Sequence, residues 1–147
     1  MIGRTAIQAL KALLEMAQEP GRWRSVNDLA AAQALPAPHL EQLLLRLRRA
    51  GVLEARRGRQ GGYRLARAPA EVSLAGVLRA VGAWPGARES DQDGACDPAT
   101  ERVAAMLRQR LTKAIERELE RLTLAELLFD LRSARASLTE EGGLMLG

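Results

Sequence analysis

At 147 residues, with 47% apolar but only 3% aromatic side chains, the chain has the length of one domain or of a small domain with an appended arm, and its core must be built from Leu, Ala, Val and Ile, a helix-favouring palette. The formal charge of +4 is unevenly spread: residues 1–79 carry 13 basic and 6 acidic side chains and residues 80–147 carry 9 and 12, which points one half at a polyanion and the other at protein. No apolar run is long enough to span a bilayer, and Arg4 and Lys11 interrupt the apolar start that a secretory signal would need, so a cytoplasmic protein with no membrane partner is expected.

From Ile2 to Met16, Ile7, Leu10, Leu13 and Leu14 recur at helical spacing, with Ala6 and Ala9 between them. Glu19-Pro20-Gly21 ends this helix and Trp23 falls in the loop that follows. Ser25 or Asn27 can cap a second helix over about 26–34. Leu35-Pro36-Ala37-Pro38 is a break, because proline is tolerated in the first turn of a helix and not in its middle. A third helix follows to Ala50, with Leu40, Leu43, Leu44 and Leu47 on one stripe and Gly51 as its stop.

After Gly51 the period shortens. Residues 52–57 and 62–66 read as two strands around Gly58-Arg59-Gln60-Gly61, with Tyr63 and Leu65 alternating with Arg64. A helix over 72–81, with Ser73 as a possible cap, carries Leu74, Val77, Leu78 and Val81 on one face. Residues 82–98 form a Gly-, Pro- and Asp-rich loop holding the only cysteine, Cys96. A long helix over about 99–122 places Val103, Met106, Leu107, Leu111, Ile115, Leu119 and Leu122 at helical spacing. Thr123, with Glu126 three residues on, caps a short helix to Leu131, and the tail from Ser133 has no pattern and is expected to fray.

These elements predict a mainly helical fold class with a small β-hairpin wing: a winged helix-turn-helix over 1–82, a loop over 83–98 that could receive an effector, a dimerisation helix and short C-terminal helix over 99–132, and a flexible tail over 133–147. A helix on such a three-helix core enters the major groove of duplex DNA with its N-terminal residues at the base edges. The hairpin places Arg56, Arg57 and Arg59 over phosphates or a narrow minor groove, and Gly58 allows a tight tip. The apolar stripe of the long helix suggests a homodimer, since one protomer offers too little core to cover it. Arginine outnumbers lysine heavily, but the base composition of a gene explains that as well as phosphate recognition does. The other reading is a winged-helix module that binds protein or RNA without reading DNA sequence. An enzyme is not supported: the chain has one histidine, one cysteine, no P-loop, no metal-ligand spacing and no nucleophile–base pair, and no small-molecule substrate is evident.

Leu40-Glu41-Gln42-Leu43, Arg46-Leu47-Arg48, Ala50-Gly51-Val52-Leu53, Arg57-Gly58 and Gly61-Gly62-Tyr63 together resemble the Rrf2 family of transcription regulators, and Leu122-Thr123-Leu124-Ala125-Glu126-Leu127 resembles the family's motif after its long helix. The resemblance covers about residues 3–131. It implies a homodimer reading a pseudo-palindrome, with Glu41 and Arg57 at base-reading positions and Gln42 and Arg46 as further contacts. Pro38 and His39 stand where the family often has serine and tyrosine; His39 is read as a phosphate or base-edge contact or as a plain surface residue.

Many members hold an iron–sulfur cluster or sense redox state through three cysteines before the long helix, and Cys96 falls on the middle position. Ser90 and Arg102 stand at the flanking positions, and Ala105 where a histidine ligand is frequent. A cluster normally takes four thiolate or imidazole ligands, so one here would need Asp91, Asp93 or Asp97, or a partner chain, as additional donors. Cys96 as a redox-sensing thiol or as a residue without a role are the other readings, and the carboxylates of Asp93 and Asp97 disfavour an especially reactive thiolate.

Overall fold

The computed structural model describes residues 2–85 and 97–145. Its elements are α1 (Arg4–Ala17), α2 (Val26–Gln33), α3 (Ala37–Arg49), β1 (Leu53–Arg56), β2 (Gly62–Leu65), α4 (Leu74–Ala80), α5 (Pro98–Arg121) and α6 (Leu124–Met145), with a 3₁₀ turn at Pro69–Glu71. Ala6, Ala9, Ala12 and Ala17 are buried along α1 beside Leu10, Leu13 and Met16, and their small side chains let neighbouring helices approach closely. Ile7, expected on the core stripe, lies on the outer face at 41% exposure. The expected stripe of α3 is buried in full: Leu40, Leu43, Leu44 and Leu47 pack with Leu13, Leu29 and Leu78 in one cluster. Each such leucine contributes about 1.5–3 kcal/mol by leaving water.

The hairpin pairs antiparallel with Leu53 opposite Leu65, Glu54 opposite Arg64, Ala55 opposite Tyr63 and Arg56 opposite Gly62. Strand alternation sends Leu53, Tyr63 and Leu65 into the core and leaves Glu54, Arg56 and Arg64 on the other face. A third segment joins the ladder: Arg24 N–H donates to Tyr63 O and Tyr63 N–H to Arg24 O, both at 2.8 Å. The chains come so close there that a Cβ on Gly62 would lie 2.2 Å from Arg24 O, and its φ of +136° also favours glycine.

The helix expected over 72–81 is shorter. Pro69 opens a 3₁₀ turn, Val72 is extended (φ −98°, ψ 106°), and α4 begins only after Ser73, whose hydroxyl accepts from Gly76 N–H at 3.1 Å. That extended stretch pairs with the start of α6: Leu74 N–H donates to Leu122 O at 3.0 Å and Leu124 N–H to Val72 O at 2.9 Å. Thr123 caps α6 through Glu126 N–H at 3.4 Å, so the two helix starts are tied together with both caps in place.

The expectation of a short last helix and a frayed tail from Ser133 is corrected: α6 runs without a break to Met145. Residues 132–141 lack an apolar stripe but hold Arg, Ala and Glu twice each, and propensity alone extends a helix already nucleated by packing. Arg135 also donates to Gln18 Oε1 at 2.6 Å, fastening α6 to the end of α1.

α5 carries its apolar residues outward. Exposure falls along the row Val103 (65%), Leu107 (56%), Leu111 (55%), Ile115 (37%) and Leu119 (4%). The helix is therefore rooted by its C-terminal end and projects its N-terminal end away from the core. No helix among the described residues is long and apolar enough to cross a membrane.

Candidate nucleic-acid interface

The helix-turn-helix is built by local chemistry. Ser25 Oγ accepts from Asp28 N–H at 3.1 Å and starts α2, and Ala34 ends it in the left-handed region at φ 52°. Pro36 and Pro38 then restart the chain as α3. No side chain caps α3 at its start, and with Pro38 bringing no N–H, those of Ala37 and His39 are the ones left unbonded in its first turn, an arrangement that favours an anion. Pro38, Glu41 and Gln42 are exposed on the outer face of α3, as are Arg48 and Arg49 toward its end.

Two residues expected on this surface are engaged within the chain. The His39 ring nitrogen Nε2 lies 2.6 Å from Gln8 Oε1 of α1 and donates to it. Arg46 Nη1 donates to Val81 O, the C-cap carbonyl of α4, at 3.1 Å; a guanidinium there also faces the negative end of that helix. His39 and Arg46 thus brace α3 from either end, against α1 and against α4.

The wing divides its arginines in the same way. Arg56 Nη2 donates to Gln60 O at 2.7 Å, closing the tip, and its guanidinium lies 4.6 Å from the centre of the Trp23 ring. Arg57 and Arg59 are exposed at the tip beside Gly58, without an ion pair to another described residue. Gly58 adopts φ +109° with open space around it, so the tip turns tightly and presents bare backbone. Trp23 had only a loop position in the sequence. The signal that could have found it is strand register, which puts Arg56 and Arg64 on one face of the hairpin, next to the segment carrying Trp23.

The result is a helix with a free polar outer face and an uncapped start, followed in the chain by a hairpin with two free guanidiniums at its tip. This is a winged helix-turn-helix. A family model described as Rrf2, iron-dependent transcriptional regulator, matches residues 2–130. The chain belongs to the Rrf2 family. It is 41% identical over 139 residues to a Synechocystis protein named HTH-type transcriptional regulator slr0846, covering 88% of each chain. Among solved structures, IscR of T. potens superposes with a TM-score of 0.72 at 30% identity, covering 91% of this chain and 90% of that one. CymR, the global cysteine regulator of B. subtilis, superposes at 0.69 and 26% identity, covering 87% and 95%. The Rrf2 proteins are transcriptional regulators, and this chain is one of them rather than an enzyme.

The family description raises iron, and the donors of this chain do not fit an iron–sulfur cluster. The full sequence has one cysteine and one histidine, whereas a cluster normally takes four thiolate or imidazole ligands. His39 sits on α3, bonded to Gln8. Asp97, a possible carboxylate donor, is the N-cap of α5, accepting from Thr100 N–H at 3.4 Å and from the Thr100 hydroxyl at 3.3 Å. Ser90, Asp91, Asp93 and Cys96 lie outside the described residues, as does most of the loop expected over 83–98. Among the described residues no group of three or more His, Cys, Asp or Glu side chains is placed to hold a metal ion, and two protomers together would bring only two thiolates.

Proposed function

We propose that this Rrf2 protein binds a pseudo-palindromic DNA operator as a homodimer, with α3 in the major groove and the wing tip over the adjoining backbone or minor groove. The observation that carries this reading is the division of labour among the polar side chains. His39, Arg46 and Arg56, though exposed, each make a hydrogen bond within the chain that holds α3 or the wing in place, while Glu41, Gln42, Arg57 and Arg59, exposed on the same two elements, bond no other described residue through their side chains. In this reading Glu41 accepts from a cytosine amino group, and Arg57 reads groove shape and charge. Dimerisation through α5 is supported by the row Val103, Leu107, Leu111 and Ile115, which the other described residues leave 37–65% exposed. Val103, Leu107, Leu111 and Ile115 recur every four residues, with Met106 exposed beside them, and so form a ridge on which a second helix can pack.

The operator is obtained by selection from a random duplex pool. Arg57→Ala is then expected to lower the slope of log affinity against log salt by about 1 per protomer. Glu41→Ala is expected to leave that slope unchanged and to relax the preference at one base pair by about 1–3 kcal/mol. Equal affinity of the wild-type chain for every duplex would overturn the sequence-reading claim. The donor count leaves thiol chemistry at Cys96, not a cluster, as the redox chemistry open to the chain. An anaerobic preparation is therefore expected to be colourless and iron-free while still binding its operator, and visible absorbance with stoichiometric iron would contradict this.

A further inference from the structure

We infer that Trp23 is the positioning residue of the wing, setting the posture in which Arg57 and Arg59 meet DNA. The inference rests on the reading of the wing as a DNA contact and adds what holds that contact in register with α3.

A hairpin of two four-residue strands is marginal on its own. Its inner face is fixed by Leu53, Tyr63 and Leu65 in the core. Its outer face carries Glu54, Arg56 and Arg64, which water would otherwise leave free to move. Trp23 covers that face: Arg64 lies 4.2 Å and Arg56 4.6 Å from the centre of its ring, within the range of attraction between a guanidinium and an indole. Arg64 is also ion-paired with Glu54, its cross-strand partner. Gly62 stands opposite Arg56 in the ladder, so no facing side chain competes for that guanidinium.

The indole is itself anchored to the helix-turn-helix. The next residue, Arg24, is bonded to Tyr63 through both its backbone groups. Its side chain, 11% exposed, donates to Glu15 of α1 at 3.2 Å, and Glu15 also accepts from Gln33 of α2 at 3.1 Å. One continuous set of contacts thus runs from α1 and α2, on which α3 is packed, through Arg24 and Trp23 to Arg56 and Arg64, and from Arg56 to the Gln60 carbonyl at the tip. Both DNA-facing elements take their position from the same frame, and Trp23 is the link on the solvent side. Because it works by holding Arg56, Arg56 acts as a strut and the probing guanidiniums are those of Arg57 and Arg59.

The test is a double-mutant cycle on operator affinity, with thermal melting of each variant alongside. In the wild-type background Arg57→Ala is expected to weaken binding about tenfold; in Trp23→Ala the same change is expected to cost less than about threefold, because the tip is no longer presented. Trp23→Phe, which keeps an aromatic face, should restore most of the coupling. Arg56→Met leaves the indole intact and should reduce the Arg57 effect as Trp23→Ala does, so the inference stays testable if Trp23→Ala does not fold. An Arg57→Ala loss as large in the Trp23→Ala and Arg56→Met backgrounds as in the wild type would overturn the role of Trp23 while leaving the wing a DNA contact. An Arg57→Ala change without effect in the wild-type background would instead overturn the wing reading, and this inference with it.

Discussion

The head of the molecule, residues 2–85, and its arm, residues 97–145, are stabilised in opposite ways. The head buries leucines on α1, α2, α3 and α4 in one cluster and ties His39, Arg46 and Arg56 to neighbours. Of the described arm residues only Leu119, Leu124 and Leu128 are buried, while Val103, Met106, Leu107, Leu111 and Phe129 are exposed by more than half. The core of the head is thus closed in part by Leu119, Leu124 and Leu128, while the rest of the arm's apolar row stays outside it. Polar links join them at the paired starts of α4 and α6, at the bond from Arg135 to Gln18, and at an ion pair from Arg79 to Glu120 at 2.7 Å, with Arg79 also lying over Trp84. On the proposed reading, the contrast teaches that the head is built for a surface it meets intermittently and the arm for one it keeps.

The contrast can be broken by trading mutations between the halves. The largest effect is expected from the head: Leu78→Ala, at a fully buried site, should lower unfolding free energy by about 2–5 kcal/mol, read by denaturant titration. Leu107→Ala in the arm should shift the protomer's own stability by less than about 0.5 kcal/mol and show instead as a weaker dimer in sedimentation. Next comes Leu111→Asp, which places a carboxylate in the proposed seam and should raise the dimer dissociation constant by about 100-fold or more with helical content unchanged; an unaltered dimer would remove α5 from the interface. A smaller effect than at Leu78 is expected at the joint, where Ser73→Ala deletes the α4 cap and should cost about 1 kcal/mol.

The head was largely legible in the sequence. Leucine spacing located α3, Ser25 and Asn27 were the two candidate caps for α2 and Ser25 is the one used, and the change of period after Gly51 located the wing. Two kinds of feature were not. The direction in which an exposed arginine points depends on acceptors distant in the chain: Arg46 finds a carbonyl 35 residues away, and Arg56 finds an indole supplied by another loop, so both looked as free as Arg57. The second half of α6 has helical propensity without amphipathic spacing, and periodicity is blind to it. The projecting row on α5 was legible for the converse reason, since an apolar stripe announces itself whether its cover is in the same chain or in another.

The most direct test of the central claim is the stoichiometry and affinity of the protein on a full selected operator against a duplex carrying one half-site, measured by sedimentation at a single salt concentration. A homodimer using two α3 helices and two wings should place two protomers on the full operator and bind it at least about 100-fold more tightly than the half-site duplex. One protomer per operator, or equal affinity for the two duplexes, would contradict it.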